Sequence, residues 1–136
     1  SLHGDGELQE GQIWEAVMFA SHNKVDNLIS IVDLNGQQID GPTSKVLSLG
    51  NLRSKFEAFD WTVLDMDGND MDSVVAVLDK AKSKTGNGKP ICILMKTEMG
   101  KGVDFMEGTH KWHGSPPNND QLAAALAQLE ETKGDY

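Results

Sequence analysis

Apolar runs alternate along the chain with amphipathic stretches, a pattern typical of βα units. Short runs rich in aliphatic and β-branched residues predict three strands, over residues 28–34, 61–64 and 91–95. Apolar residues at helical spacing predict four helices, over residues 12–20, 49–59, 71–82 and 119–130. The pattern predicts an α/β fold, with a parallel sheet flanked by helices in an open, Rossmann-like three-layer α/β/α arrangement.

Acidic and glycine-rich segments mark the boundaries of these elements. Residues 65–68 predict a turn that ends the second strand, and Asp70 is the expected N-cap of the helix that follows. On that helix the expected inward positions are Val74, Val75, Leu78 and Ala81. A long polar loop is expected over residues 97–117, between the third strand and the last helix.

The first residues form a Gly-Asp-Gly turn, residues 4–6, with no strand expected in front of it. Three parallel strands make a thin sheet for runs that are apolar on both faces. We therefore expect residues 1–136 to be a single, truncated domain whose sheet edge is covered by a further segment or by a second copy in a homo-oligomer.

Composition excludes several classes of function. The chain has 136 residues, with 12 Lys and Arg against 21 Asp and Glu, and a formal charge of −9. This balance argues against nucleic acid and anionic membrane surfaces as partners, because both attract basic residues. The single cysteine, Cys92, excludes an internal disulfide framework. Apolar runs are far shorter than the ~20 residues of a membrane span, so a cytoplasmic location is expected.

Two turns carry the candidate chemistry. Asp5 lies before the first helix and Asn35 follows the first predicted strand. Because the carboxyl ends of neighbouring parallel strands meet at one edge, a carboxylate and an amide oxygen from these turns can reach one hard cation. Magnesium takes oxygen ligands and keeps phosphate oxygens among them, and the N-terminus of the helix after Gly6 offers N–H groups to the same phosphates. The alternative is two ordinary turns, since Asp-Gly and Asn-Gly are common in loops.

Other short motifs do not fit known sites. Residues 86–90 lack the glycine and the hydroxyl residue of a phosphate loop, and residues 65–70 place their glycine wrongly for a calcium loop. His110 and His113 lie in a glycine-flanked loop with no third zinc ligand in sequence range.

Four sequence blocks resemble the transketolase family, in family order and over essentially the whole chain. They are residues 4–16 (GDGELQEGQIWEA), 33–41 (DLNGQQIDG), 96–102 (KTEMGKG) and 108–114 (GTHKWHG). The chain is most similar to the split form, in which the thiamine diphosphate-binding part is a separate short subunit. The resemblance implies a partial thiamine diphosphate-binding fold, with residues 1–136 as the diphosphate-binding domain.

The resemblance also implies roles for individual residues. Asp5 and Asn35 would bind Mg²⁺ or Ca²⁺ through side-chain oxygens, and Gln37 would bind it through its backbone carbonyl. Positions expected to contact thiamine diphosphate are Gly4, Asp5, Gly6, Asn35, Gln37, Ile39 and His113.

Three residues are implied in catalysis. His113 would lie between the diphosphate and the reacting sugar carbons, with His110 the less favoured of the two histidines. Glu10 and Glu15 match acidic residues that, in the family, join a carboxylate network linking two active sites. Their alternative is solvated helix charge, because a spacing of five residues does not place them on one helix face.

The implied reaction is transfer of a two-carbon ketol unit from a ketose phosphate to an aldose phosphate in the pentose phosphate pathway. Its implied partner is a pyrimidine-binding transketolase domain or subunit, so the 136 residues alone are expected to be inactive. Two alternatives stay open: a fragment of another thiamine diphosphate enzyme, of the deoxyxylulose phosphate synthase or 2-oxoacid decarboxylating type, and a non-catalytic α/β assembly module.

Overall fold

A computed structural model describes residues 1–130 and arranges them around a parallel four-stranded sheet. The strands are β1 (Leu2–Gly4), β2 (Ile29–Leu34), β3 (Gln37–Gln38), β4 (Gly41–Pro42), β5 (Thr62–Asp67) and β6 (Ile91–Lys96). The main sheet has the order β1-β2-β6-β5, and β3 and β4 form a separate antiparallel hairpin. The carboxyl ends of all four parallel strands therefore meet at one edge.

Helices cover both faces of the sheet. They are α1 (Gly11–His22), α2 (Thr43–Val46), α3 (Leu52–Ala58), α4 (Met71–Ser83) and α5 (Asn119–Leu126). Helices α1 and α3 pack on one face, and α4 packs on the other. The chain reverses direction across the sheet between β5 and β6, and a right-handed crossover then requires α4 to lie on the opposite face. The three-layer α/β/α prediction is confirmed.

Alternation along the strands separates the core into two clusters. Val32, Cys92 and Leu94 point toward α1 and α3, where they meet Val17 and Phe56. The intervening strand residues point toward α4: Ile29, Ile31, Leu64, Met66, Ile91 and Ile93. This period of two explains why the central strands read as continuous apolar runs, since both of their faces are buried.

The prediction that no strand precedes the turn at residues 4–6 is wrong. Strand β1 pairs in parallel with β2, and Ile31 N–H donates to the Ser1 carbonyl oxygen at 2.9 Å. At the other end of the strand, Asp5 N–H donates to the Asp33 carbonyl oxygen at 3.0 Å. A strand of three residues is too short to show a hydrophobic period, so pairing with β2 defines it and the sheet has four strands rather than three.

Further element boundaries also differ from prediction, among them the start of α3 at Leu52 rather than at residue 49. Residues 65–67 continue β5 rather than turning: Met66 is buried at 3% exposure while Asp65 and Asp67 face solvent. Exposed acidic residues in an edge strand are compatible with strand pairing, and they also discourage edge-to-edge association. The last helix ends at Leu126, earlier than predicted, and Gln128 then exchanges two hydrogen bonds with Asp104 at 2.8 and 2.9 Å.

The amphipathic helix α4 is confirmed with one exception. Asp70 caps it as predicted, accepting a hydrogen bond from Asp72 N–H at 3.1 Å. Ala81 is fully buried, but Val75 is 54% exposed and does not join the core. Across residues 1–130, none of the helices has both the length and the apolar character that crossing a bilayer requires.

Candidate cofactor site at the carboxyl edge of the sheet

A cavity of about 700 Å³ opens at the carboxyl edge of the parallel sheet. Its wall is built from the ends of β1, β2 and β6, the β3–β4 hairpin and the loop after β6. Six of the seven residues expected to contact the cofactor line it: Gly4, Gly6, Asn35, Gln37, Ile39 and His113. The structure therefore brings together at one edge residues that lie far apart in the sequence.

Asp5, the seventh, is buried behind this wall with only 1% of its surface exposed. It directly follows β1, and its Oδ2 atom accepts a hydrogen bond from Gly36 N–H at 2.8 Å. Its Oδ1 atom is also buried but has no hydrogen-bond partner among the described residues. A buried, unpartnered carboxylate oxygen is costly, and a bound cation is one group that can satisfy it.

The pKa of the Asp5 carboxyl reflects its burial. Burial raises the pKa of this carboxyl, and the nearby carboxylate of Asp33 raises it further. The Gly36 N–H opposes the shift by stabilising the charged form. A bound cation would also stabilise the charged form of Asp5. The site therefore suits an ionised Asp5 carboxylate with a cation beside it.

Asn35 is held by hydrogen bonds at both ends of its amide. Its Oδ1 atom accepts from Gln37 N–H at 2.9 Å, and its Nδ2 atom donates to Asp33 Oδ2 at 3.1 Å. The turn continues through Gly36, whose φ of +73° is in the left-handed region that glycine adopts without strain. Gln37 Oε1 is buried without a hydrogen-bond partner in the described part of the chain.

Gly6 lets the hairpin pack directly against the turn after β1. A Cβ atom at position 6 would lie 2.6 Å from Gln38 Cβ, which is closer than real Cβ contacts allow. The first helix begins at Gly11, one residue before its predicted start, and residues Glu7–Gln9 form a 3-10 turn ahead of it. Gly6 and Glu7 line the cavity at this point, and no residue of α1 is among its described lining residues.

The loop after β6 brings His113 to the cavity. Trp112 anchors this loop, because its Nε1–H donates to the Phe105 carbonyl oxygen at 2.9 Å and the two rings meet edge to face at 5.4 Å. His113 directly follows Trp112 and lines the cavity. His110 is not among the described residues that line it.

The donor atoms at this edge fit a hard cation bound together with a diphosphate. Asp5 and Asn35 offer a carboxylate and an amide oxygen, which are the ligands that Mg²⁺ and Ca²⁺ prefer. Within residues 1–130, no three His, Cys, Asp or Glu side chains group closely enough to hold a metal by themselves. Phosphate and water oxygens would complete the coordination, as is usual for Mg²⁺.

Glu10 and Glu15 lie away from the cavity. Glu10 is the N-cap residue of α1 and Glu15 lies within that helix, and both side chains are exposed. Their predicted role in a network between two active sites would need a second copy of the chain, and it stays a prediction.

Several lining residues were not singled out from sequence: Glu7, Asp33, Gln38, Met95, Thr97, Glu98 and Met99. Each lies at or just beyond the carboxyl end of a strand, or in the hairpin that follows β2. That position is the signal by which they could have been found, because ligands of open α/β sheets bind at this edge.

The family model described as transketolase, thiamine diphosphate binding domain, matches residues 1–132. The chain belongs to the transketolase family. The match includes every residue that lines the cavity, and the domain is named for binding thiamine diphosphate. The resemblance seen in the sequence blocks is confirmed.

Relatives of this transketolase-family chain include proteins named as transketolase subunits. It is 40% identical over 130 residues to an apulose-4-phosphate transketolase subunit of Phocaeicola vulgatus, spanning 96% of this chain and 46% of that protein. It is 43% identical to the 6-deoxy-6-sulfo-D-fructose transketolase subunit SqwG of a Clostridium species, spanning 47% of that protein. The chain therefore spans about half the length of these curated relatives.

Solved transketolase structures share the fold. The transketolase of Campylobacter jejuni superposes with a TM-score of 0.84 at 37% identity, covering 93% of this chain and 20% of that one. A Pichia stipitis transketolase complex gives a TM-score of 0.82 at 30% identity. The chain thus corresponds to the thiamine diphosphate-binding domain of the transketolase family and spans only part of these proteins.

Proposed function

We propose that this chain binds thiamine diphosphate through Mg²⁺ and contributes that cofactor to two-carbon ketol transfer from a ketose phosphate to an aldose phosphate. The observation that carries the proposal is the buried Asp5 carboxylate, whose Oδ1 atom lacks a partner among the described residues, beside a cavity lined by Asn35. Family membership supports the choice of cofactor, and the oxygen donors support the choice of cation. Ca²⁺ is the alternative cation.

The residues of this chain bind and orient the cofactor. Asp5 and Asn35 would supply side-chain oxygens to the cation, and Gln37 would supply its backbone carbonyl. Gly4 and Gly6 leave room for the diphosphate, because neither presents a side chain to the cavity. Ile39, which is 66% exposed at the cavity, would cover the thiazolium ring once that ring is present.

The reaction itself depends on the bound cofactor, which supplies the nucleophilic carbon that accepts the two-carbon unit. His113 would stabilise charge or move a proton beside the reacting sugar carbons. The pyrimidine end of the cofactor would need a second domain or subunit, and the subunit names of the relatives support such a partner. We place the assembled enzyme, as a dimer or other homo-oligomer, in the pentose phosphate pathway of the cytoplasm.

Calorimetry with thiamine diphosphate and Mg²⁺ tests the cofactor site directly. The wild-type chain should release or absorb heat on titration only when both are present, and Asp5→Ala should lose that signal. Asp79→Ala, which removes an exposed carboxylate on α4, is the matched control and should bind like the wild type. Equal binding by Asp5→Ala and wild type would show that the cation site lies elsewhere.

Activity assays separate this function from its alternatives. The purified chain alone should not transfer two-carbon units, whereas the enzyme assembled with its pyrimidine-binding partner should use a ketose phosphate and not pyruvate. Use of pyruvate would instead support a decarboxylating thiamine enzyme. A non-catalytic assembly module predicts no cofactor effect on melting temperature, whereas a ligand at 100 times its Kd should stabilise the native chain by about 2.7 kcal/mol.

A further inference from the structure

Asp33, the second-last residue of β2, connects the three strand ends that form the cavity wall. Its main-chain oxygen accepts from Asp5 N–H at 3.0 Å, at the end of β1. Its side-chain Oδ2 accepts from Asn35 Nδ2 at 3.1 Å, and its Oδ1 accepts from the hydroxyl of Thr97, which follows β6. The loops that follow β1, β2 and β6 are therefore all tied to this one residue.

These hydrogen bonds determine which atom of the Asn35 amide can reach a cation. In the observed orientation, Nδ2 donates to the Asp33 carboxylate and Oδ1 accepts from Gln37 N–H. A flip of the amide would place Oδ1 against the negative carboxylate and Nδ2 against the Gln37 N–H, which would replace two attractions by two repulsions. Because a carbonyl oxygen has two lone pairs, Oδ1 keeps one for a further partner in the observed orientation.

Thr97 in turn fixes the carboxylate. Its hydroxyl donates to the Asp33 oxygen that Asn35 does not use, so the carboxylate has one partner on each oxygen. The two residues are 64 positions apart in the sequence and meet because β2 and β6 are adjacent in the sheet. Both line the cavity, although the implied ligand set contains neither of them.

We propose that Asp33 is a positioning residue for the cation: it acts through Asn35 by holding the amide with Oδ1 available to the metal, and Thr97 holds Asp33 in turn. The proposal rests on the cofactor site proposed above. Residues that orient metal ligands through hydrogen bonds commonly change metal affinity by about 10–100-fold when they are removed.

The unliganded chain provides the first test, by NMR of the Asn35 side-chain amide. In Asp33→Ala, we expect the Asn35 NH₂ protons to exchange with solvent at least about tenfold faster and its heteronuclear NOE to fall. Asp33→Asn should largely restore both, because the introduced amide oxygen can still accept from Asn35 and the Thr97 hydroxyl can rotate to accept from the introduced NH₂ group. Asp70→Ala removes a helix cap elsewhere and is the control for lost stability.

Titration with Mn²⁺ in the presence of thiamine diphosphate provides the second test, with free Mn²⁺ measured by electron paramagnetic resonance. Asp33→Ala should raise the half-saturating Mn²⁺ concentration by about 10–100-fold, and Thr97→Val should raise it by less. The double variant Asp33→Ala/Asn35→Ala should bind no more weakly than Asn35→Ala alone, because Asp33 acts through Asn35. A merely structural role would instead give additive losses.

The outcomes separate the two proposals. If Asp5→Ala abolishes Mn²⁺ binding while Asp33→Ala leaves it unchanged, the positioning role is wrong and the cofactor site stands. Additive losses in the double variant, or an Asn35 amide that is unaffected by Asp33→Ala, also overturn the positioning role. If the wild-type chain does not bind Mn²⁺ with thiamine diphosphate, or if Asp5→Ala binds equally well, the cofactor site fails and the positioning role fails with it.

Discussion

The carboxylate of Asp5 accepts a hydrogen bond from the backbone N–H of Gly36 at 2.8 Å, across 31 residues of sequence. This contact joins the turn after β1 to the turn after β2, and it uses only one of the two carboxylate oxygens. The other oxygen is buried without a partner among the described residues. This buried oxygen therefore lowers the stability of the unliganded chain, although it is the atom that a cation can bind.

Asp5→Asn should stabilise the unliganded chain while removing cofactor binding. An amide of the same shape can still accept from Gly36 N–H and removes a buried charge, so we expect a gain on the order of 1 kcal/mol. For a chain of this size that corresponds to a rise in melting temperature of about 3 °C. Asp79→Asn, exposed on α4, is the matched control and should change the melting temperature little. A lower melting temperature for Asp5→Asn would contradict the prediction.

Asp5 should also make the stability of the unliganded chain depend on pH. The folded pKa of Asp5 is raised by burial, so its contribution to stability is fully present below the unfolded pKa and is lost as pH rises through the folded pKa. Urea unfolding measured at a series of pH values should show this loss in the wild type. It should be absent in Asp5→Asn and retained in Asp79→Asn.

Gly6→Ala should lower the stability of the fold, whereas Gly4→Ala should weaken cofactor binding and leave stability nearly unchanged. A Cβ at position 6 would lie 2.6 Å from Gln38 Cβ, and relieving that overlap should destabilise the chain by about 1–3 kcal/mol. A Cβ at position 4 meets no atom within 4 Å, so Gly4→Ala should change stability by less than about 0.5 kcal/mol. It should nevertheless weaken thiamine diphosphate binding, because Gly4 lines the cavity. Urea denaturation and calorimetry on both variants measure the two effects.

Cys92 should report on global unfolding. It is fully buried in the central strand β6, and burial raises the pKa of its thiol to about 12. Because the thiolate is the reactive form, labelling by a disulfide reagent should be at least about 10³-fold slower in the native chain than in urea. Thiamine diphosphate with Mg²⁺ should slow labelling further, since binding stabilises the native state. Fast labelling of the native chain would contradict the burial of this side chain.

His113→Ala should reduce turnover by the assembled enzyme by about 10²–10⁴-fold, the range typical for loss of a group that transfers protons or stabilises charge. His110→Ala, three residues away in the same loop, is the matched control and should have a much smaller effect. The ketose phosphate assay with the pyrimidine-binding partner present measures both. A larger effect from His110→Ala would reverse the assignment of the two histidines.

Sequence patterns predicted the parts of the fold that carry strong local signals. Strands β2 and β6 are buried on both faces and helix α4 has a clear cap at Asp70, so each is visible as an apolar run or a periodic stretch. Strand β1 and the β3–β4 hairpin are too short to show a period. The acidic residues at 65 and 67 hid the end of β5, although the buried Met66 between them preserves the alternation of a strand.

The contacts of the candidate site also differ in whether sequence alone could predict them. Asp5 and Asn35 could be paired from sequence because each lies in a predicted turn and the two turns are expected at the same sheet edge. The bond between Thr97 and Asp33 joins positions 64 residues apart, and its formation depends on β6 lying beside β2. Without the strand order, nothing in either residue's neighbourhood indicates the other.

Strand β1 is short and lies at an edge of the sheet, and this has a consequence for cofactor affinity. Three residues paired on one side form a unit that can open locally without global unfolding, and opening would break the hydrogen bond between Asp5 and Gly36. Part of the binding energy must then hold this strand closed. A segment that pairs with the outer edge of β1 would therefore tighten cofactor binding without contacting the cofactor, and slower amide exchange at Ile31 and Asp5 would accompany that gain.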